Sequence, residues 1–337
     1  MAVSPKGNSD MKVSKKVGIS IFSLVGLLLA IVIIVHQNPG PGADPQEELI
    51  KKILSCAVIL ASCIIFAVGY DKFTTLPVEL YQSRHLIWKL AKNDFKKRYA
   101  GSYMGALWAM LQPVITVAMY YVVFDKLMGN TGRGTGDIPF VLFLTAGLVP
   151  WFFFTEALNG GTNALLEYNY LVKKVVFKIS VLPIIKIIAA TFIHAFFILV
   201  LLIVAAIYGY YPTIYTIQIL YYSACLFIFV LALCYTTCSI VVFFRDLSQI
   251  INIALQIGMW ATPILWNIDG VEGVWLTILK LNPLVYVVNG YRSAICEKVW
   301  FFQDFFSTMY FWIVTVVLFG IGALVFKRLK VHFADVM

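Results

Sequence analysis

The chain has 337 residues, of which 61% are hydrophobic and only 13% charged, and its mean hydropathy is +0.86. A soluble chain of this length would carry about a quarter charged residues, so the composition excludes an ordinary soluble protein and indicates a membrane-embedded one. The formal net charge of +9 would suggest a nucleic-acid partner in a soluble protein; here the cations gather in a few segments between apolar runs, where membrane topology and lipid phosphate account for them.

The apolar runs are long and unbroken, which favours membrane helices over the ~10-residue alternating segments of an outer-membrane barrel. Eight spans are expected, at about 17–35, 50–69, 105–126, 138–158, 183–207, 214–243, 249–268 and 307–326. Each approaches the roughly 20 residues that a ~30 Å hydrocarbon core requires. The stretch from Ile214 to Phe244 is long for one span; it tilts or projects into the cytosol. Five of the six cysteines (Cys56, Cys63, Cys225, Cys234 and Cys238, with Cys296 the exception) fall inside these runs, as small apolar residues rather than a disulfide framework.

The first run, Val17 to Val35, follows Lys12, Lys15 and Lys16 and so looks like a signal peptide. It is long for that role and no small-x-small cleavage site follows. "HQNPGPGADPQEE" and a second apolar run come next, so residues 1–75 are read as an uncleaved two-span hairpin. "GYD" (Gly69–Asp71) and "GTGD" (Gly134–Asp137) resemble an intramembrane aspartyl-protease pair, but this topology places the two acids at opposite ends of the membrane.

Residues 76–104 carry an interfacial helix. From Leu86 to Tyr99, Ile87, Trp88, Leu90, Ala91, Phe95 and Tyr99 fall on one side of the wheel, and Lys89, Lys92, Asn93, Lys96 and Lys97 on the other. Asp94 and Arg98 intrude on the apolar side, where an i,i+4 pair can form. An amphipathic helix of this kind lies in the plane of the interface. Its cations serve as a topology signal and can also attract anionic headgroups, each contributing on the order of 1 kcal/mol.

The rest, residues 105–337, reads as six spans with connecting loops. Asp269 to Ser307 is too apolar for a loop, and Asn282-Pro283 breaks it in the middle; a re-entrant outer hairpin with its backbone buried in protein fits. With the N-terminus inside, only Lys126, Arg133, Lys280, Arg292 and Lys298 of the 26 basic residues fall outside; Lys51, Lys52 and Lys186 lie in or beside spans, and the other eighteen face the cytoplasm. Both termini are therefore expected to be cytoplasmic.

"LIWKLAKNDFKKRYAGSYMGALWAMLQPVITVAMYYVVF" (Leu86–Phe124) resembles the opening of the ABC-2 type permeases that export O-antigen, capsule and teichoic acid. "NALLEYNYLVKKVVFKISVLPI" (Asn163–Ile184) is similar to that family's loop between the second and third core spans. "VFFRDLSQI" (Val242–Ile250), "ATPILW" (Ala261–Trp266), "LNPLVYVVNGYR" (Leu281–Arg292) and the terminal "KRLKVHFADVM" follow in the family's order. The resemblance covers about residues 80–337. It departs in the added hairpin and at Lys178, where a proline commonly follows Phe.

The resemblance implies an all-α polytopic permease: a six-span ABC-2 core, an interfacial helix and a re-entrant hairpin, here with two extra N-terminal spans. It implies a homodimer in the bacterial cytoplasmic (inner) membrane with two separate ATPase subunits, which bind the ATP and Mg2+, so that the chain is itself no enzyme and needs no cofactor. "GNTGRGTGD" lacks the Gly-Lys-Ser/Thr ending of a phosphate loop. Glu167, Tyr168, Asn169, Tyr170, Lys173 and Lys174 would dock on the ATPase, against the plainer reading of a cytoplasmic turn. Lys92, Lys96, Lys97 and Arg98 would attract the phosphate of an undecaprenyl-linked polysaccharide amid membrane lipid. Trp108, Tyr120, Tyr121, Phe124, Trp151, Phe152 and Trp260 are candidate channel aromatics, with packing or interface-belt duty the competing role for each.

His194 and Glu156 lie within spans, where polar groups mark function or an internal hydrogen bond. Lys186 is close enough to a span end to snorkel. Two other functions are weighed: an ABC-2 exporter of a drug or lipid, and a polyprenyl-phosphate glycosyltransferase. The latter lacks clustered carboxylates, since the only Glu-Glu pair, Glu47-Glu48, falls in an outside loop. An ion-coupled transporter would need a set of intramembrane charges that the sequence does not supply.

Overall fold

A computed structural model describes residues 15–35, 45–98, 103–105, 107–127, 138–172, 178–268 and 271–336. Among them every regular element is helical. The chain divides into two compact units, Met1–Tyr81 and Gln82–Met337.

The first unit is an antiparallel helical hairpin of α1 (Lys15–Val35) and α2 (Pro45–Gln82, whose last residue opens the second unit). Lys15 pairs with Asp71 at 3.5 Å, Phe22 stacks on Phe66 at 4.0 Å, and Lys52 Nζ donates to the Ile34 carbonyl at 3.4 Å. Asp71 therefore serves the hairpin; its imagined protease partner, Asp137, lies outside the described residues. The second helix continues past the expected end at residue 69. Thr74 and Thr75 donate to the carbonyls of Tyr70 and Asp71, and Pro77 is accommodated inside the helix.

The second unit contains α3 (Arg84–Arg98), α4 (Leu107–Tyr121, continued by a π-helical Val122–Leu127), α5 (Phe140–Glu167) and the one-turn α6 (Asn169–Val172). Then come α7 (Leu182–Ile207), α8 (Gln218–Val241), α9 (Leu247–Ala261), α10 (Gly273–Lys280), α11 (Pro283–Arg292, continued by a π-helical Ser293–Glu297), α12 (Phe305–Leu329) and α13 (Phe333–Val336). Six described helical stretches are long and apolar enough to cross a membrane: Lys15–Val35, Lys52–Asp71, Phe140–Glu167, Ile179–Ile207, Ile214–Val241 and Phe305–His332.

Two of the eight expected spans are not among these six. The one expected at 105–126 is α4 plus its π-helical extension. The one expected at 249–268 stops at Ala261, giving a 15-residue helix of about 22 Å, shorter than the hydrocarbon core. The stop has a local cause. Thr262 precedes Pro263, which pushes a residue out of the helical region, and Thr262 is extended at φ −96°, ψ 133°.

The core is built around α5, in which every residue from Phe140 to Trp151 is buried. Such all-round burial marks a helix at the centre of a bundle. It meets α8 closely at Gly161, where a Cβ would collide with Cys234 Sγ. Thr162 and Thr237 share a hydroxyl hydrogen bond of 2.8 Å across the same contact. Apolar surface gains little between helices in lipid, so close backbone approach and interhelical hydrogen bonds carry more of the association.

The re-entrant hairpin is α10 and α11. At about 12 and 15 Å neither can span. Asn282 makes the break: its Oδ1 caps α11 by accepting from Leu284 N–H at 3.1 Å, and its Nδ2 donates to Thr262 Oγ1 at 3.0 Å. Pro283 follows at the first helical position, where its missing N–H costs nothing. Residues Leu284–Val288 and Gly290–Arg292 are buried against α5 and α8, as the backbone of a non-spanning segment requires.

Candidate coupling and interfacial site

α3 packs on α7. Ile87 and Ala91 face inward and are buried, while Trp88 and Phe95 each set a ring edge-on to Phe192, both with centroids 5.5 Å apart. The opposite face presents Lys89, Lys92, Lys96 and Lys97, all exposed. The helix thus keeps its apolar side on the bundle and its cations outward, as its periodicity predicts. Arg98 ends the helix; its side chain lies outside the described residues.

α5 ends at Glu167. Tyr168 caps it, and its N–H donates to the Ala164 carbonyl. Asn169 and Tyr170 open α6 and are exposed, whereas Val172 is buried and anchors the turn. Lys173 and Lys174 lie outside the described residues. Lys178, the departure from the family pattern, adopts φ −77°, ψ 93°, an extended backbone that proline also accepts. Its Nζ donates to Gln82 Oε1 at 3.4 Å.

One contact that linear reading misses joins these pieces. Lys186, in α7, sits 2.9 Å from Asp94 Oδ1 of α3 and 2.5 Å from Glu167 Oε2 of α5. Tyr168 donates its hydroxyl to the same Asp94 oxygen, and its ring lies 5.0 Å from Lys186 Nζ. Lys186 and Asp94 keep only 11% and 15% of their side-chain surface, while Glu167 keeps 52%. Lys186 therefore reaches two acids, and Asp94 is engaged by α7 and the turn; its expected i,i+4 partner, Arg98, has its side chain outside the described residues. Burial pushes the Tyr168 phenol well above its ordinary range, and the Asp94 carboxylate adds to the shift, so Tyr168 stays a donor.

Other polar contacts brace the same end. Ser248 Oγ donates to Asn163 Oδ1 at 2.7 Å, tying α9 to α5, and Tyr235 of α8 donates to the Ser180 carbonyl at 2.9 Å. The loop before α9 and the turn after α5 therefore belong to one braced surface.

The aromatic candidates divide. Trp108 on α4 and Trp260 on α9 are 54% and 67% exposed. Tyr120 and Tyr121 are half-buried, with Lys126 Nζ 5.6 Å over the Tyr121 ring. Phe152 is half-buried beside Phe197, with centroids 5.9 Å apart. Trp151 is buried, closed in by Phe154 and by Gly258 of α9. Phe124 falls in the π-helical segment, and its side chain lies outside the described residues. Among the candidates with described side chains, Trp108 and Trp260 are thus the freest to meet another molecule.

His194 answers the question its depth raised. Its Nε2 lies 2.9 Å from Tyr291 Oη and 3.3 Å from Ser223 Oγ, a hydrogen-bonded link between α7, α8 and α11.

Comparison with known proteins follows the same outline. A family model described as ABC-2 type transporter matches residues 85–296. The chain is 30% identical over 259 residues to the O-antigen export system permease protein RfbA of Myxococcus xanthus, covering 76% of this chain and 97% of that protein. It is 25% identical over 252 residues to an RfbA of Klebsiella pneumoniae, covering 74% and 93%. It is 25% identical over 211 residues to the polysialic acid transport protein KpsM of Escherichia coli, covering 60% and 78%. With the helical bundle, the broken re-entrant pair and the basic helix ahead of the core in the expected order, this multi-span membrane protein belongs to the ABC-2 type transporter family.

Proposed function

We propose that the chain is the transmembrane subunit of an ATP-driven exporter that carries a lipid-linked cell-surface polysaccharide across the bacterial cytoplasmic membrane. The observation that carries this reading is the full-length likeness to permeases named for O-antigen export, across 97% of one such protein. The exposed lysine face of α3 supports it, because an anionic lipid headgroup meets Lys92, Lys96 and Lys97 before it meets apolar surface.

In this reading both termini are cytoplasmic and two copies of the chain form the path. Separate ATPase subunits bind ATP and Mg2+ and grip the turn from Glu167 to Tyr170. Lys92, Lys96, Lys97 and Arg98 draw in the phosphate of the lipid carrier, with charge-assisted donors suited to its oxygens. Closure of the ATPases moves the turn, and the copies part along surfaces that include Trp108 and Trp260. Sugars then pass with their C–H faces against aromatic rings.

Purification from native membranes tests the assignment. An ATPase subunit copurifies, and removing it abolishes ATP hydrolysis. ATP hydrolysis by the isolated chain sinks the proposal.

A further inference from the structure

Glu167 occupies the last position of α5, where the helix dipole disfavours a carboxylate. Among the described residues it meets the cation of Lys186, nineteen residues on, and Lys186 is shared with Asp94, ninety-two residues back. Three elements that no local sequence rule connects therefore converge on one ammonium group. Those elements are the interfacial helix, the turn after α5 and the beginning of α7.

The cluster is graded in exposure. Glu167 is half open on the side of the turn, whereas Asp94 and Lys186 are shielded. Each acid alone would be a poor partner. Glu167 is solvated and would gain little from a surface ion pair. Asp94 lies on the packed side of α3, where an unpaired carboxylate would be costly. Lys186 serves both at once, and Tyr168 supplies Asp94 with a second donor from the turn itself. The aromatic pairs of Trp88 and Phe95 with Phe192 hold α3 against α7, and among the described residues the contacts of Lys186 and Tyr168 form a polar joint between them and the turn.

We propose that Lys186 is a positioning residue: it locks the turn after α5 to the interfacial helix, so that displacement of the turn swings the lysine face of α3. This rests on the exporter reading above and deepens it, because it names the joint through which a partner ATPase acts on the helix that holds the lipid phosphate. The joint works as a rigid link when both acids are engaged. With Lys186 replaced, the turn still docks and ATP is still hydrolysed, but the turn holds α3 through the Tyr168 hydroxyl alone and far less of the motion reaches it.

The test uses the full chain with its copurifying ATPase, and compares wild type, Lys186→Met, Lys186→Gln and Lys186→Arg. ATP turnover and surface polysaccharide are measured on the same preparations and cells. Lys186→Met is expected to retain the ATPase and hydrolyse ATP within about twofold of wild type, while export falls at least tenfold. The ATP consumed per polymer exported then rises, a readout that simple loss of folded protein does not move. Lys186→Arg keeps a cation beside both Asp94 and Glu167 and is expected to export to within about threefold of wild type. Export by Lys186→Met at the wild-type ratio of ATP to polymer overturns the proposal. If Lys186→Met yields no complex, Lys186→Gln, which keeps a polar head without the charge, decides: a raised ratio of ATP to polymer supports the joint, and a wild-type ratio overturns it. A wild-type chain that neither binds an ATPase nor exports polysaccharide brings down the exporter reading itself, before any variant is compared.

Discussion

The guanidinium carbon of Arg292 lies 3.5 Å from the centroid of the Phe143 ring, and the group is almost fully buried, with no carboxylate hydrogen-bonded to it among the described residues. Its nitrogens donate instead to backbone carbonyls: Nη1 to Pro263 at 2.7 Å, Nη2 to Ile264 at 3.0 Å and Nε to Phe143 at 3.3 Å. Gly147 leaves the space, since a Cβ there would stand 3.0 Å from Nη2. The carbonyls past the end of α9 have no helical partner, and one planar fork satisfies two of them while pinning the re-entrant pair to α5. Arg292→Lys keeps the charge and loses the fork. It should destabilise the chain by about 3 kcal/mol, and Arg292→Met by a similar amount through orphaned carbonyls. Thermal melting of the detergent-solubilised protein checks this; a melting midpoint unchanged in both variants would remove Arg292 from the architecture.

This residue also shows where the sequence stops being informative. Arg292 counts as one of few cations outside, and nothing in its neighbourhood says that it turns inward. Its partners lie 28 and 29 residues back, just past the end of α9, and 149 back on α5. Lys186 is the same case: the apolar residues around it imply only a span end, and its acids are distant in the chain. Features with a local cause are legible. Asn282-Pro283 announces the break between α10 and α11, and the period of Leu86–Tyr99 gives the packed and basic faces of α3. The end of α9 also has a local cause, Thr262 before Pro263, yet the span expected at 249–268 runs through it, and Pro77 and Pro150 do sit inside continuous helices. In a membrane bundle, neighbouring helices and side chains can satisfy what a proline frees, so a proline alone does not mark an end.

Asn282 performs two tasks that substitution can separate. Asn282→Asp retains an oxygen for the Leu284 N–H and loses the donor to Thr262. Asn282→Ala loses both. The alanine variant should cost about 1 kcal/mol from the cap alone, and aspartate should preserve that part. Melting curves of the two variants side by side make the comparison; equal losses would place the whole effect in the Thr262 contact.

The lysines of α3 should matter to export and hardly to folding. Lys92, Lys96 and Lys97 are exposed, and surface charges contribute little to stability. Reversing all three to glutamate should leave the yield of folded protein and the bound ATPase unchanged. Export should fall steeply, because about 1 kcal/mol of headgroup attraction per cation becomes repulsion. Surface polysaccharide measured against membrane levels of the chain is the assay, and normal export by the triple variant would take the phosphate role away from this face.

Tyr168 gives the cluster around Lys186 a pH signature with a definite sign. Its ionisation is raised above the ordinary value of 10.0 by burial and by the Asp94 carboxylate. A raised acid stabilises the fold throughout the range below its unfolded value, and the contribution is lost only as pH climbs through the higher folded value. The stability difference between wild type and Tyr168→Phe should therefore stay constant from neutrality to about pH 10, the range in which an unfolded tyrosine remains protonated. Above it, wild type should show fewer tyrosinates by ultraviolet absorbance than its denatured chain. A Tyr168 signal that ionised near pH 10 in the folded protein, isolated by difference against the phenylalanine variant, would mean that the hydroxyl is open to water and that Asp94 leans on Lys186 alone.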